Sequence, residues 1–156
     1  LYIDDSPNLT MMEIRAKARR LKQRNDLQLI VIDYLQLMTG SSGAENRQLE
    51  VSEMSRNLKI LARELNVPIM ALSQLSRGLE SRSDKRPMLA DLRESGSLEQ
   101  DADMVVLLHR DDVYEKESTR PGEADLIVAK HRNGPTANIT VAFQGHYSRF
   151  VDMAQT

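Results

Sequence analysis

Four apolar runs in this sequence end on residues whose side chains can handle charged oxygen ligands. Leu29-Ile30-Val31-Ile32 is followed by Asp33, and Ile69-Met70-Ala71-Leu72 by Ser73-Gln74. Val105 to Leu108 runs into His109-Arg110, and Leu126 to Ala129 into Lys130-His131-Arg132. If these runs are strands of an open α/β sheet, the residues after them gather on the rim beyond the strands' carboxyl ends, where such sheets bind ligands. A carboxylate there can hold Mg²⁺ through water. An amide can sense a phosphate or position a water, and Lys and Arg can neutralise a transferring phosphoryl group. The set as a whole suits a nucleotide.

Taken singly, each feature also has an ordinary explanation. Four apolar residues and an Asp make a Walker B pattern, yet many parallel strands end in Asp because a loop begins there. An amide at a strand end, such as Gln74, commonly bonds loop backbone. Lys130 and Arg132 could be a surface pair. His109 and His131 lack partners at metal-ligand spacing and read as structural or solvated, and Asp111-Asp112 reads as a solvated turn. A phosphate loop of the form G-x-x-x-x-G-K-[ST] is absent: the seven glycines are 40, 43, 78, 96, 122, 134 and 145, and none precedes Lys and then Ser or Thr. From the residues alone, the chain is α/β, with a rim suited to phosphate and no phosphate loop.

The elements that would position these residues are legible in the pattern. Thr10 and Glu13 form a capping box, with Leu9 and Ile14 at the positions of a hydrophobic staple. The helix they open carries Met11, Ile14, Ala18 and Leu21 on one stripe and ends at Asn25-Asp26. Thr10 to Arg24 holds six basic residues and one acid, which is best read as the solvated face of that helix. The first half of Leu27 to Met38 reads as a strand buried on both faces, hence in a parallel sheet. A flexible loop follows at Thr39 to Gly43. Glu45 to Asn66 predicts a second helix with Val51, Met54, Leu58, Leu61 and Leu65 inward, ended by Val67-Pro68, and Pro68 to Ser73 is the next strand. Ser76 to Ser97 is a long charged loop, functional or disordered. Ser97-Leu98-Glu99-Gln100 is a possible second capping box. Asp103 to Leu108 and Asp125 to Ala129 are two more strands, with an exposed Asp111 to Gly122 between them. Ile139 to Phe143 and Ser148 to Val151 read as a terminal β-hairpin. Helices alternating with buried strands imply α/β layering with a mostly parallel sheet.

Composition narrows the class. The 156 residues are 40 % hydrophobic and 4 % aromatic, with no Trp, so an aliphatic core is expected. The absence of Cys excludes disulfides and thiolate metal sites. A net charge of −2 excludes a histone-like binder and restricts any nucleic-acid contact to a local patch. No apolar run reaches the roughly 18 residues that span a bilayer, and the first residues are not a signal peptide. These features point to a cytoplasmic protein. The start at Leu1-Tyr2-Ile3, inside a strand-like run, reads as the interior of a longer chain.

Several stretches together resemble the C-terminal RecA-like domain of bacterial DnaB helicases. They are Leu1 to Asp5, Leu29 to Met38, Ala71 to Arg77, Lys85 to Asp103, Lys130-His-Arg-Asn-Gly-Pro135 and Tyr147 to Phe150. They cover nearly the whole chain, and the Asp91 to Asp103 stretch and Lys-His-Arg-Asn-Gly-Pro are the most specific. The resemblance implies a RecA-like P-loop NTPase fold, with residues 1–156 as the C-terminal part of one motor domain and its P-loop strand absent. It implies an ATP- and Mg²⁺-dependent hexamer that translocates on single-stranded DNA and unwinds duplex. Primase and a helicase loader would be partners, and a membrane would not.

By position, the resemblance makes Asp33 the Walker B acid supporting Mg²⁺ through water. Gln74 becomes the sensor that couples the γ-phosphate to the DNA loops. Arg132 becomes an arginine finger reaching into the neighbouring subunit's nucleotide site, with Lys130 as its companion. Arg93, Glu94 and Gly96 become the channel loop on the DNA backbone. The P-loop and the glutamate that activates water would lie before Leu1, so the 156 residues alone are expected not to hydrolyse ATP. Two other readings remain open: another RecA-type ATPase, such as a recombinase paralogue or a clock-type ATPase, and a non-catalytic fragment that binds single-stranded DNA or a partner.

Overall fold

The computed structural model describes residues 1–7, 9–38 and 47–153, and leaves out the side chains of residues 47–48 and 93–96. The expected loop at Thr39 to Gly43 and the first residues of the helix expected from Glu45 fall outside the described residues. The chain divides into two compact units, one of residues 1–75 and 92–102, the other of residues 76–91 and 103–156.

The first unit opens with α1 (Met11–Asn25). Its capping box forms as expected: Thr10 Oγ1 accepts from the Glu13 N–H, and the Glu13 carboxylate accepts from the Thr10 N–H at 2.8 Å. Asp26 ends the helix in the left-handed region at φ 45°. Next come β1 (Ile30–Ile32), α2 (Arg47–Leu65) and β2 (Ile69–Ala71). All five expected inward residues of α2 are buried, and Leu61 is fully enclosed. A buried cluster of Ala18, Leu61, Leu65 and Val67 packs with Met11, Ile14, Leu27, Ile30 and Ile69, joining both helices to both strands. Burying a side chain like Leu61 contributes roughly 1.5–3 kcal/mol. Asn66 adopts φ 50° as α2 ends, and Pro68 follows.

β1 and β2 pair in parallel, with Ile30 opposite Ile69 and Ile32 opposite Ala71. The strand expected in the first half of Leu27 to Met38 forms over Ile30–Ile32, and in the second half Leu35–Leu37 turns into a 3-10 segment that buries Leu35. It is also not buried on both faces: Val31 is 55 % and Met70 58 % exposed. A two-stranded sheet has only the helix layer on one side to cover it. α3 (Gly96–Asp101) completes the unit and is joined to α2 by Ser55 Oγ, which donates to Asp101 at 2.8 Å. The second capping box does not form. A 3-10 segment, Leu89–Ser95, winds directly into α3, so Ser97 lies within the helix, and its hydroxyl has no partner among the described residues.

The second unit is built on β3 (Met104–His109), β4 (Glu123–His131), β5 (Ala137–Gln144) and β6 (Arg149–Asp152), in that spatial order. All three pairings are antiparallel. The α/β class stands, but the mostly parallel sheet holds only for β1 and β2. For β4–β5 and β5–β6 the reason is connection length: the turns after β4 and β5 are too short for a parallel crossover, which needs a dozen residues or more, whereas residues 110–122 between β3 and β4 set no such limit. The terminal hairpin forms as expected, turning at Ser148 with φ 48° and setting the Phe143 and Phe150 rings against each other, tilted by 42° with centroids 5.0 Å apart. β3 alternates, with Leu107 and His109 buried and Met104, Val106 and Leu108 about half exposed, as a sheet covered on one face does. Among the described residues, no helix is long and apolar enough to cross a membrane.

Candidate nucleotide and DNA site

In the first unit, Asp33 follows β1 directly and is exposed. The Asp33–Tyr34 peptide bond is cis. The chain leaving β2 is bonded to the chain leaving β1: Leu72 N–H donates to Ile32 O at 2.9 Å, and Leu35 N–H to Leu72 O at 3.0 Å. These bonds bring Asp33 and Gln74 to the same end of the two-stranded sheet. Gln36 then grips the second exit. Its side-chain NH₂ donates to Ser73 Oγ at 2.9 Å and Gln74 O at 3.3 Å, and its carbonyl accepts from Gln74 N–H at 3.2 Å. The backbone of Gln74 is thus held on both its donor and its acceptor, while the residue is exposed. Sequence reasoning missed Gln36. The available signal was a single amide three residues after Asp33 in an otherwise apolar run.

The donor set near Asp33 suits one kind of metal chemistry. No cluster of three or more acidic or imidazole ligands occurs among the described residues. Mg²⁺, however, is commonly held by one or two carboxylates, waters and a substrate's phosphates rather than by an all-protein cage. A lone exposed carboxylate at a strand end fits that pattern, whereas it would not fit zinc.

In the second unit, β4 carries Lys130 and His131 at its end, and Arg132 follows. A bulge shifts the register between Val105 and Val106: Val105 faces Lys130, and Val106 faces Val128. The extra residue on β4 re-aims the strand end. Arg132 is fixed to the start of β3 twice. Its N–H donates to Asp103 O at 2.8 Å, and its guanidinium lies 3.2 Å from the Asp103 carboxylate, with both side chains about half exposed. A Cβ at Gly134 would run into the His131 ring, which would have to swing aside. This gives the Lys-His-Arg-Asn-Gly-Pro run a local structural reason.

The residues set aside in the sequence are structural. His109 is buried, with its Nε2 2.6 Å from Asp111 and its ring 6.0 Å from that of Tyr114. The Asp111-Asp112 turn is paired rather than merely solvated. Asp112 takes two bonds from Arg110, each 3.1 Å, and one from Gly122 N–H. Arg110 first, then that N–H, hold the Asp112 carboxyl below its ordinary range. Neighbouring basic residues supply the partners because β3, β4 and their connection fold back together. Asp125, 3 % exposed, is the densest node. It receives a two-pronged contact from Arg120 at 2.8 and 2.9 Å, one from Arg86 at 2.8 Å and one from the Thr140 hydroxyl at 2.9 Å. Arg120 foremost, then Arg86 and Thr140, hold this carboxyl far below the usual range against the opposing effect of burial.

Asp33 and Gln74 belong to the first unit, and Lys130 and Arg132 to the second. Arg93, Glu94 and Gly96 lie on the 3-10 segment and the start of α3; their side chains are outside the described residues.

A family model described as the DnaB-like helicase C terminal domain matches residues 1–152. The chain belongs to the DnaB-like helicase C-terminal domain family. It is 70 % identical over 154 residues to a "Replicative DNA helicase DnaB" of Leifsonia xyli subsp. xyli, covering 99 % of this chain and 34 % of that relative. It is 57 % identical over 154 residues to the "Replicative DNA helicase DnaC" of Bacillus subtilis, covering 98 % of this chain and 34 % of the relative. The chain thus spans about a third of the length of these curated relatives. Among solved structures it is similar to "The Structure Of A DnaB-Like Replicative Helicase And Its Interactions With Primase". There the TM-score is 0.93 at 46 % identity, over 97 % of this chain and 37 % of that one. It is also similar to "ATPase Domain of G40P", with a TM-score of 0.88 at 47 % identity, over 92 % of this chain and 51 % of that one. The expected α/β fold of a DnaB-type RecA-like domain therefore stands.

Proposed function

We propose that this DnaB-like domain is part of an ATP-dependent, hexameric replicative helicase that travels on single-stranded DNA and unwinds duplex. The match of the family model across residues 1–152 carries the reading. In it, residues 1–156 form one part of a single RecA-like motor domain. Asp33 supports Mg²⁺ through water beside the phosphates of ATP. Gln74, its backbone held by Gln36, turns its side chain to the γ-phosphate. Lys130 and Arg132, next to the bulge in β4, neutralise phosphoryl charge in the neighbouring subunit's site. The magnesium–nucleotide pair, when bound, supplies the phosphoryl group and neutralises its oxygens. Arg93, Glu94 and Gly96 contact the DNA backbone, which binds without reading sequence. A solved relative is titled for its interactions with primase, and we extend that partner, together with a helicase loader, to this protein.

A subunit-mixing experiment tests the shared site. Asp33→Asn and Arg132→Ala subunits of the intact helicase are each expected to be inactive alone. Mixed one to one, about a quarter of the interfaces in a head-to-tail ring regain both groups, so ATP hydrolysis should reappear. If the mixture stays as inactive as its parts, Asp33 and Arg132 do not serve one site across an interface. Single-strand binding with and without ATP, titrated with salt, separates the motor from a passive module, whose binding would ignore ATP.

A further inference from the structure

We propose that Arg82 and Asp91 are positioning residues for DNA contact. In this role they clamp the stretch of chain that delivers Arg93, Glu94 and Gly96. The inference rests on the assignment of those three residues to the DNA loop made above. Ser76 to Ser97 reads in sequence as a long charged loop, functional or disordered. Its residues 76–91 are closed on themselves. Ser76 N–H donates to Asp91 O at 3.0 Å, so the two ends of the segment meet. Asp91 N–H donates to Met88 O at 2.9 Å, and the Asp91 carboxylate accepts from Met88 N–H at 2.8 Å and from Arg82 at 2.9 Å. Arg82 also donates to Arg86 O at 3.0 Å. Asp91 thus uses its N–H, its carbonyl and its carboxylate to hold one bend. Its side chain is only 10 % exposed, against 31 % for Arg82.

Two features make this clamp more than a loop closure. Asp91 lies inside the 3-10 segment Leu89–Ser95 that carries Arg93 and Glu94. The first half of that segment is therefore fixed by Asp91, and its second half is the proposed DNA contact. The same loop is also moored to β4: Arg86, whose carbonyl Arg82 holds, pairs with the buried Asp125. β4 ends in Lys130, with Arg132 just beyond. A bonded path therefore runs from the strand bearing the proposed trans-acting cations, through Asp125, Arg86 and Arg82, to Asp91. Neither Arg82 nor Asp91 needs to touch DNA, because both act through the backbone they hold.

The sign of the effect separates positioning from simple electrostatics. A carboxylate near DNA repels phosphate, so removing its charge would tighten binding if field strength were all that mattered. Positioning predicts weaker binding. The experiment uses the intact helicase with Asp91→Asn, Arg82→Gln, Arg82→Lys and the double Asp91→Asn/Arg82→Gln change. It measures Kd for an oligothymidine strand across a salt series and amide exchange over residues 88–96. Each charge-removing single variant is expected to weaken binding by roughly two- to thirty-fold, with faster exchange over residues 89–95. The slope of log Kd against log salt should stay unchanged, since no phosphate contact is removed directly. The double variant should be little worse than either single one, because both remove the same contact, and Arg82→Lys should restore part of the affinity. Tighter binding by Asp91→Asn, a smaller salt slope in Arg82→Gln, additive losses or unchanged Kd would each overturn the proposal. If Asp91→Asn does not assemble, Arg82→Gln, at a more exposed position, decides the matter. A wild-type helicase that binds the strand while the variants bind equally well refutes the clamp alone. A wild type that does not bind refutes the DNA-loop assignment with it.

Discussion

Neutralising Asp103 should release Arg132 and raise ATP turnover modestly. In the trans role proposed above, the Arg132 guanidinium must leave its own subunit's partner. Here the Arg132 guanidinium sits 3.2 Å from Asp103, with 44 % and 57 % of the two side chains exposed. An ion pair this open to water is worth about 0.2–1 kcal/mol, a factor of about 1.4 to 5 in the balance between parked and released states. Asp103→Asn keeps the shape and removes the charge. The bond from Arg132 N–H to Asp103 O involves only backbone, so the strand start stays tied. Steady-state ATP hydrolysis by the assembled helicase should therefore rise by no more than about five-fold at low salt. The difference should shrink as salt screens the pair in the wild type. A fall of ten-fold or more, with assembly intact, would refute this reasoning. It would mean that Asp103 holds Arg132 in its working position rather than away from it.

Gln36→Leu should lower DNA-stimulated hydrolysis while leaving nucleotide affinity nearly unchanged, because it frees the backbone of Gln74 without touching Asp33; an unchanged stimulation ratio would count against the amide grip. Leu61→Ala, at a fully enclosed position, should destabilise by about 2–5 kcal/mol in denaturant titration, and a loss below 1 kcal/mol would show that the α1–α2 core is not cooperative with the rest. Asp125→Asn should cost about 2–3 kcal/mol near neutral pH, where Arg120, Arg86 and Thr140 all donate to the carboxylate. Because the folded carboxyl is held below its unfolded value of about 4, its contribution is complete above that pH and fades as pH falls below it. The stability gap between wild type and Asp125→Asn should therefore narrow in acid, and a gap constant down to pH 2 would argue against the ion cluster.

Helices were legible because their signals are local. The Thr10–Glu13 box and the five inward residues of α2 need only neighbours three or four positions away, and all appear as read. Strand partners were not, since an apolar run such as Val105 to Leu108 looks alike in parallel and antiparallel sheets. Connection length carried the missing information for β4, β5 and β6 but not for β3, and the bulge beside Lys130 left no trace in residue type. The proposed site divides in the same way. Strand-end chemistry offers Asp33, Gln74, Lys130 and Arg132 as candidates. The residues that hold them, Gln36 and Asp103, make contacts across long stretches of sequence that no spacing rule encodes. Asp111 and Asp112 read as solvated because charge in a turn usually is, yet Asp112 pairs with Arg110, two residues before it, and Arg120 comes to 3.6 Å from Asp111.

The half-exposed residues of β3 bear on handling of the polypeptide. β3 is the outer strand of its sheet, and Met104, Val106 and Leu108 stand at about half exposure along it. An outer strand with apolar side chains and no proline or charge from Met104 to Leu108 is a template for pairing with another copy. The 156 residues in isolation should therefore self-associate with rising concentration. A single lysine at Val106 should delay that onset in light scattering, without disturbing the buried Leu107 and His109 beside it.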